Sequence, residues 1–120
     1  MLEIGGAPGT LGRLVAERVG AAGFVMEIDR SARGIAQIER LAAAEIACGR
    51  LGVRRVAVED FELVDGEAPY DLAFAIRVGA LDGRHPDVGT RAINRLRASL
   101  EPGGRLLVDG GSPLCEIPLT

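Results

Sequence analysis

The sequence contains no lysine, since all 14 of its basic residues are arginine. This absence excludes mechanisms that need an amine or ammonium side chain. The formal net charge is -3 at pH 7, and the arginines form no basic tract. A nucleic-acid-binding protein carries a concentrated positive surface that neutralises phosphates. We therefore expect no nucleic-acid partner.

Cysteines, aromatic residues and long apolar runs are also scarce. The two cysteines, Cys48 and Cys115, are too few for a disulfide framework or a zinc site, and we expect them to be reduced packing residues. No apolar run reaches the roughly 18 residues of a membrane span, and no secretion signal is evident. These absences favour a cytoplasmic protein with no membrane partner. A chain of 120 residues corresponds to one domain, 1–120.

The start of the chain carries a glycine-rich segment between a short predicted strand, Leu2 to Ile4, and a predicted helix, Thr10 to Val19. Glycine lets the backbone approach a ligand closely, and the free N–H groups at a helix start favour polar or negatively charged groups. A tight strand-to-helix connection without a ligand is an equally good explanation of the glycines. The apolar spacing predicts that the helix buries Leu11, Leu14, Val15 and Val19.

Strand and helix signals alternate along the rest of the chain. Ser31 predicts the N-cap of a long helix, and Pro102-Gly103-Gly104 predicts a sharp stop after the last helix. The remaining predicted elements are strand Phe24–Ile28, the helix after Ser31 with Ile35, Ile38, Leu41, Ala42 and Ile46 on its inner face, strand Arg55–Val58, strand Asp71–Ile76, helix Asp87–Leu100, strand Arg105–Val108 and a tail, Gly110–Thr120. This alternation indicates an α/β fold, a doubly wound and mainly parallel sheet of five strands.

Acidic residues follow two of the predicted strands. In open α/β sheets, ligands bind beyond the carboxyl ends of the strands. Asp29 follows the second strand and has the two acceptor oxygens that a ribose diol needs, and Asp60 follows the third and can accept from an exocyclic amine. Taken alone, each carboxylate is most simply explained as a solvated loop residue. Their joint placement favours a nucleoside-containing ligand.

The chain resembles the Rossmann-like (class I) S-adenosylmethionine-dependent methyltransferases over nearly its whole length. The segments that carry the resemblance are Glu3-Ile4-Gly5-Gly6-Ala7-Pro8-Gly9, Ile28-Asp29-Arg30-Ser31, Val58-Glu59-Asp60-Phe61, Tyr70-Asp71-Leu72-Ala73-Phe74 and Leu100-Glu101-Pro102-Gly103-Gly104-Arg105-Leu106. The last segment discriminates best, because a nicotinamide-binding fold has no reason to contain it.

The resemblance implies S-adenosylmethionine as the cofactor and assigns roles to individual residues. Gly5, Gly6, Ala7 and Gly9 would surround its methionine part, Asp29 would bind the ribose hydroxyls, Asp60 would accept from the adenine amine, and the Phe61 backbone would meet the ring edge. The complete set of cofactor-binding residues predicted in this way is Glu3, Gly5, Gly6, Ala7, Gly9, Asp29, Arg30, Asp60, Phe61 and Arg77.

Two departures from the family pattern stand out. Ala7 and Pro8 replace the middle glycine of the loop, as in some ribosomal RNA methyltransferases, but that chemistry resembles a lysine-dependent mechanism and this chain has no lysine. The family's usual N-terminal helical cover and its last two strands are also missing, so we expect a minimal or truncated member. An exposed fifth-strand edge would then favour a homodimer that covers this edge or the tail from Ser112 to Thr120.

The sequence of the segment after the fourth strand argues against several classes of methyl acceptor. It lacks the Asn/Asp-Pro-Pro-aromatic signature of amine methylation on bases or glutamine, a nearby cysteine, and the acidic residues of magnesium-dependent members, so we expect no metal. Transfer to a small-molecule oxygen or nitrogen remains. His85 is the candidate general base, with a surface loop histidine as the alternative, and Arg77 either orients an anionic acceptor or forms an ion pair.

Two other functions remain open at this level. Residues 6 to 12 fit the Gly-x-x-Gly-x-x-Gly loop of NAD(P)-binding oxidoreductases, although that interpretation leaves Glu3 unexplained and lacks the catalytic Tyr-x-x-x-Lys. The missing cover also fits a catalytically idle protein that binds S-adenosylmethionine or serves as a scaffold.

Overall fold

The computed structural model describes residues 1–7, 9–19, 23–76, 78, 81, 85–109 and 114–119. Strands and helices alternate through most of them. In chain order the elements are β1 Leu2–Ile4, α1 Thr10–Val19, β2 Val25–Asp29, α2 Ala32–Leu41, α3 Ala43–Ala47, β3 Leu51–Arg55, a 3₁₀ helix Val58–Asp60, β4 Tyr70–Ala75, α4 Pro86–Ser99, β5 Leu100–Asp109 and β6 Leu114–Ile117.

These strands form one sheet in the order β3-β2-β1-β4-β5-β6, and all neighbours are parallel except β5 and β6. The predicted doubly wound, mainly parallel α/β fold is therefore confirmed. The sheet has six strands in its described part rather than five, because part of the predicted tail pairs with β5 from Leu106↔Ile117 to Asp109↔Leu114. The expectation of an exposed fifth-strand edge is wrong for this reason, and the homodimer stays a prediction without that support.

Three element boundaries differ from the sequence analysis by more than one residue. The fifth strand begins at Leu100 instead of Arg105, directly after α4, so Pro102-Gly103-Gly104 lies within β5 and does not precede it.

The other two differences lie earlier in the chain. The third strand runs over Leu51–Arg55, and the end of the segment predicted as a strand enters the 3₁₀ helix Val58–Asp60. Leu51 pairs with Val25 and is buried, which anchors the earlier start. The predicted long helix begins after Ser31 as expected but is interrupted at Ala42.

Helices cover the sheet on both faces. Helices α1, α2 and α3 pack over β2 and β3, and their cluster of buried residues is Ala16, Val25, Ile38, Ala42 and Leu51. On the other face α4 packs on β5 and on the 3₁₀ helix, and its core includes Leu2, Ile28, Phe61, Ala92, Leu96 and Leu106. Within the described ranges no helix is both long and apolar enough to cross a bilayer.

The side chains of α1 point differently from the prediction. Leu11 and Leu14 are 40% and 53% exposed, whereas Gly12 and Ala16 face the sheet. The small residues lie inward because α1 passes close to two buried acidic side chains of β1 and β2, which are described below. Cys48 and Cys115 are free, as predicted, but both are exposed rather than packed.

Candidate cofactor-binding site

The glycine-rich loop follows β1 and folds over the carboxyl end of β2. The N–H groups of Gly5 and Gly6 both donate to the Ile28 carbonyl, at 2.9 and 3.2 Å. Gly5 and Gly9 have φ angles of 67° and 104°, which L side chains rarely adopt, so glycine is required at both positions. The loop therefore presents backbone at the edge of the sheet where the carboxyl ends of the parallel strands meet.

Asp29 joins this loop to the start of α2. Its Oδ1 accepts from the Ser31 N–H at 2.9 Å, and its Oδ2 accepts from the Ala7 N–H at 3.4 Å. The absence of a side chain at Gly34 makes room for the carboxylate, since a Cβ there would lie 2.9 Å from its carbon. Asp29 is only partly buried, and each oxygen keeps acceptor capacity for a ligand hydroxyl.

Two other predicted adenosine-binding residues, Asp60 and Phe61, lie on the face of the sheet that α4 covers. Asp60 ends the 3₁₀ helix, and its half-exposed carboxylate forms an ion pair with Arg91 of α4. The Phe61 ring is fully buried, with the Arg54 guanidinium 5.3 Å from its centroid, and the Phe61 N–H donates to Val58. The Arg30 side chain is exposed.

Two acidic side chains are buried beneath the glycine loop. Glu3 is 4% exposed and Glu27 is 0% exposed, and they face each other in register on β1 and β2. A Cβ on Gly6 would lie 1.7 Å from Glu27 Oε2, and one on Gly12 would lie 1.3 Å from Glu27 Oε1. The Glu27 carboxyl therefore fills the space beside both glycines.

This burial changes the protonation of the pair. Desolvation raises the pKa of Glu27, and the adjacent Glu3 carboxyl and then Asp29 raise it further. Burial also raises the pKa of Glu3, while its hydrogen bond with Glu27 acts in the opposite direction. The raised pKa of Glu27 therefore favours its protonated form, which can donate to Glu3.

Sequence reasoning assigned Glu3 to the cofactor loop but missed Glu27. One signal could have revealed it, because the alternation of β2 places Glu27 on the same face as Val25, under two helices. An acidic residue on a strand face that helices cover is an exception to the usual burial pattern.

The candidate catalytic residues are only partly described. Arg77 lies outside the described residues. His85 occupies the N-cap position of α4 and is exposed. It lines a cleft of about 390 Å³ together with Leu81, with Ile93 and Arg97 of α4 and with Ile117 of β6.

One contact links the segment after β4 to the glycine loop. A Cβ on Gly5 would lie 2.8 Å from Val78 Cγ2, and the Leu81 N–H donates to the Val78 carbonyl at 3.1 Å. Leu81, which lines the cleft beside His85, is thus hydrogen-bonded to Val78, and the Val78 side chain lies beside Gly5 of the loop. In the described part of the chain, no three His, Cys, Asp or Glu side chains come together as metal ligands.

The sequence matches no family model, and no curated protein matches it. Solved structures match it over 89% of the chain. They include the [4+2]-cyclase SpnF (27% identity, TM-score 0.70, 36% of its chain), the N-methyltransferase NodS from Bradyrhizobium japonicum WM9 (20%, 0.71, 55%) and the glycopeptide N-methyltransferase MtfA in complex with S-adenosyl-L-methionine (18%, 0.72, 42%). The chain thus spans between 36% and 55% of the length of these proteins.

The fold is that of the Rossmann-like (class I) S-adenosylmethionine-dependent methyltransferases, and the resemblance seen in the sequence motifs is confirmed at this level. NodS also matches in a complex with S-adenosyl-L-homocysteine. SpnF, a cyclase by its name, has the same fold, so the fold alone does not determine the reaction.

Proposed function

We propose that this chain binds S-adenosylmethionine and transfers its methyl group to an oxygen or nitrogen of a small-molecule acceptor. The observation that carries the proposal is the position of Asp29, whose carboxylate joins the glycine loop to the start of α2 at the carboxyl end of β2. The net charge of -3 and the absence of a basic tract support a small acceptor rather than nucleic acid. A cytoplasmic setting without a membrane partner remains part of the proposal.

The residues at this edge of the sheet suit the cofactor's three parts. The backbone of Gly5 and Gly9, whose positive φ angles only glycine readily adopts, fits the amino-acid part, and Asp29 keeps lone pairs for a ribose diol. Asp60 is half exposed and shares its carboxylate with Arg91, so one of its oxygens can accept from an adenine amine. When bound, S-adenosylmethionine supplies a methyl group that its sulfonium already activates.

The chain's own contribution is to position the acceptor and to remove a proton. Within this proposal, the cleft of about 390 Å³ beside His85 receives an acceptor with an apolar part, because Leu81, Ile93 and Ile117 line it. The acceptor oxygen or nitrogen forms the new bond to the methyl carbon as the sulfur–carbon bond breaks, and His85 takes the proton that the acceptor loses. Arg77 is retained as the group that orients an anionic acceptor.

Calorimetric titration with S-adenosylmethionine, S-adenosylhomocysteine and NADPH tests the proposal. We expect the first two to bind and NADPH not to bind. Replacing Asp29 with alanine should weaken S-adenosylhomocysteine binding by about tenfold or more, because the ribose hydroxyls lose their acceptor.

Asp65→Ala is the matched control, since Asp65 is an exposed aspartate in the turn before β4, at the other end of the strands. It should leave the affinity unchanged. Binding of NADPH alone would refute the proposed function, and equal affinities of the Asp29→Ala and Asp65→Ala variants would show that the ribose site lies elsewhere.

A further inference from the structure

Glu27 occupies an unusual position between the sheet and the glycine loop. Its two carboxyl oxygens lie where side chains at Gly6 and Gly12 would otherwise be, within 1.7 Å and 1.3 Å of the Cβ positions. Gly6 belongs to the loop and Gly12 to the first turn of α1. The carboxyl of one β2 residue thus sets how closely both segments approach the sheet.

Among the described residues, the charged groups that act on Glu27 are both acidic. The charged groups that act on it are Glu3 on β1 and Asp29 at the end of β2. Of the helices packed above, α1 directs Arg13 to Glu45 of α3, with a distance of 3.0 Å between Nε and Oε1. As carboxylates, both oxygens of Glu27 and Oε1 of Glu3 would be buried without a hydrogen-bond partner among the described residues. One proton between the two groups supplies the missing donor.

We propose that Glu27 is a positioning residue of the cofactor loop, and that one proton shared between Glu27 and Glu3 holds Gly6 and Gly12 in the arrangement that binds S-adenosylmethionine. This inference rests on the proposed function, because it concerns the same loop. It differs from the family resemblance, which covers Glu3 and the glycines but gives no role to Glu27.

The cost of the pair argues for a functional role. Burying two carboxyl groups is unfavourable, and an apolar residue of similar volume packs without that penalty. Within this proposal, the shared proton also links β2 to β1, because Glu3 and Glu27 are register partners on these neighbouring strands. A side chain that only filled space would need no proton donor.

Two substitutions of Glu27 by residues of nearly equal volume distinguish a side chain that donates a hydrogen bond from one that only fills space. Glu27→Gln keeps a donor toward Glu3, and Glu27→Met removes it. We expect S-adenosylhomocysteine affinity to stay within about twofold in Glu27→Gln and to fall by about tenfold in Glu27→Met, the usual effect of one lost hydrogen bond to a charged group. Glu45→Gln is the control, because Glu45 is another buried glutamate but belongs to α3 and not to the strands beneath the loop.

Denaturant unfolding of each variant, measured beside the titrations, separates misfolding from lost positioning. Glu27→Met leaves Glu3 without its donor, so we expect this variant to be less stable than the wild type but still folded under the titration conditions, where it should bind more weakly. Infrared spectra should show the carbonyl band of a protonated carboxyl at neutral pH in the wild type, and this band should be absent from Glu27→Gln.

Different results would refute the role of Glu27 and the proposed function. Wild-type affinity in Glu27→Met, a tenfold loss in Glu27→Gln, or a wild type without the protonated-carboxyl band overturns the role of Glu27 while leaving the proposed function intact. A wild-type chain that binds neither S-adenosylmethionine nor S-adenosylhomocysteine overturns the proposed function itself.

Discussion

Tyr70, Glu67 and Arg54 form a polar cluster beside the start of β4, away from the candidate cofactor site. The Tyr70 hydroxyl donates to Glu67 Oε2, which also accepts from Arg54 at 3.1 Å, and the Val64 N–H donates to Glu67 Oε1 at 2.9 Å. Partial burial acts to raise the pKa of Glu67, but the hydrogen bonds from Tyr70, Val64 and Arg54 outweigh it and lower the pKa. Burial and then Glu67 raise the pKa of Tyr70, which keeps the hydroxyl a donor.

We expect Tyr70→Phe to lower the free energy of unfolding by about 1 to 2 kcal/mol at neutral pH, because a charged acceptor loses one donor. Since folding lowers the pKa of Glu67, the stabilisation is present above the ordinary glutamate pKa and disappears as the pH falls through the lowered value. Urea unfolding at several pH values measures this difference. If the free energies of unfolding of the wild type and Tyr70→Phe differ by the same amount even in strongly acidic solution, the pH-dependent stabilisation does not come from Glu67.

Helix α1 shows how a neighbouring element can override an apolar pattern. Its spacing predicts that Leu11 and Leu14 are buried, yet both are exposed while Gly12 and Ala16 face the sheet. The sheet below α1 contains Glu27, whose carboxyl would be 1.3 Å from a Cβ at position 12. Only the side of α1 that carries Gly12 and Ala16 can therefore pack closely on the sheet.

A pair of leucine substitutions tests this orientation. Leu14→Ala in α1 should change the free energy of unfolding by less than about 1 kcal/mol, since the side chain is mostly exposed. Leu96→Ala in α4 should cost about 2 to 5 kcal/mol, because Leu96 is fully buried. Chemical denaturation measures both values, and similar losses for the two variants would mean that Leu14 is covered in solution.

Local signals predicted the elements that have their own start and stop residues. The bounds of β1 and α1 agree with the sequence analysis, and Ser31 caps α2 by accepting from the Gly34 N–H at 3.1 Å. The strand β6 was missed because Leu114–Ile117 is a short segment that becomes a strand only by pairing with β5. Its strand character depends on tertiary contacts that no local pattern contains.

The candidate site was predictable to a similar degree. The motif around Asp29 placed its carboxylate at the loop, where it accepts from the Ala7 N–H. Glu27 was missed because a glutamate in a short strand usually faces solvent, and its burial depends on the register between β1 and β2. The binding role of Asp29 and those of all the other predicted cofactor-binding residues stay predictions.

At the scale of the whole molecule, the buried carboxyl pair links folding to pH. Unfolding exposes Glu3 and Glu27 to water, where their pKa values return to the ordinary range. Folding raises both values, so the folded chain binds more protons than the unfolded chain at neutral pH. The stability from this pair is complete below the ordinary glutamate pKa and declines as the pH rises.

We therefore expect the wild-type free energy of unfolding to fall between about pH 5 and pH 8 with a slope near 1.4 kcal/mol per pH unit, the value for one proton. Glu27→Gln should flatten this slope and be the more stable protein at the upper end of the range. Thermal or urea unfolding of both proteins at a series of pH values measures this slope. Parallel pH profiles for the two proteins would show that Glu27 ionises in the folded state.

The contacts of Glu27 also constrain how this sequence can change. Because its carboxyl fills the space beside Gly6 and Gly12, a larger residue at either glycine would collide with it unless position 27 became smaller in the same lineage. Substitutions at these three positions are thus epistatic, although the glutamate follows the second glycine by 15 positions along the chain. In related sequences, residues 6, 12 and 27 should vary together, with small side chains at position 27 wherever position 6 or 12 has gained a methyl group.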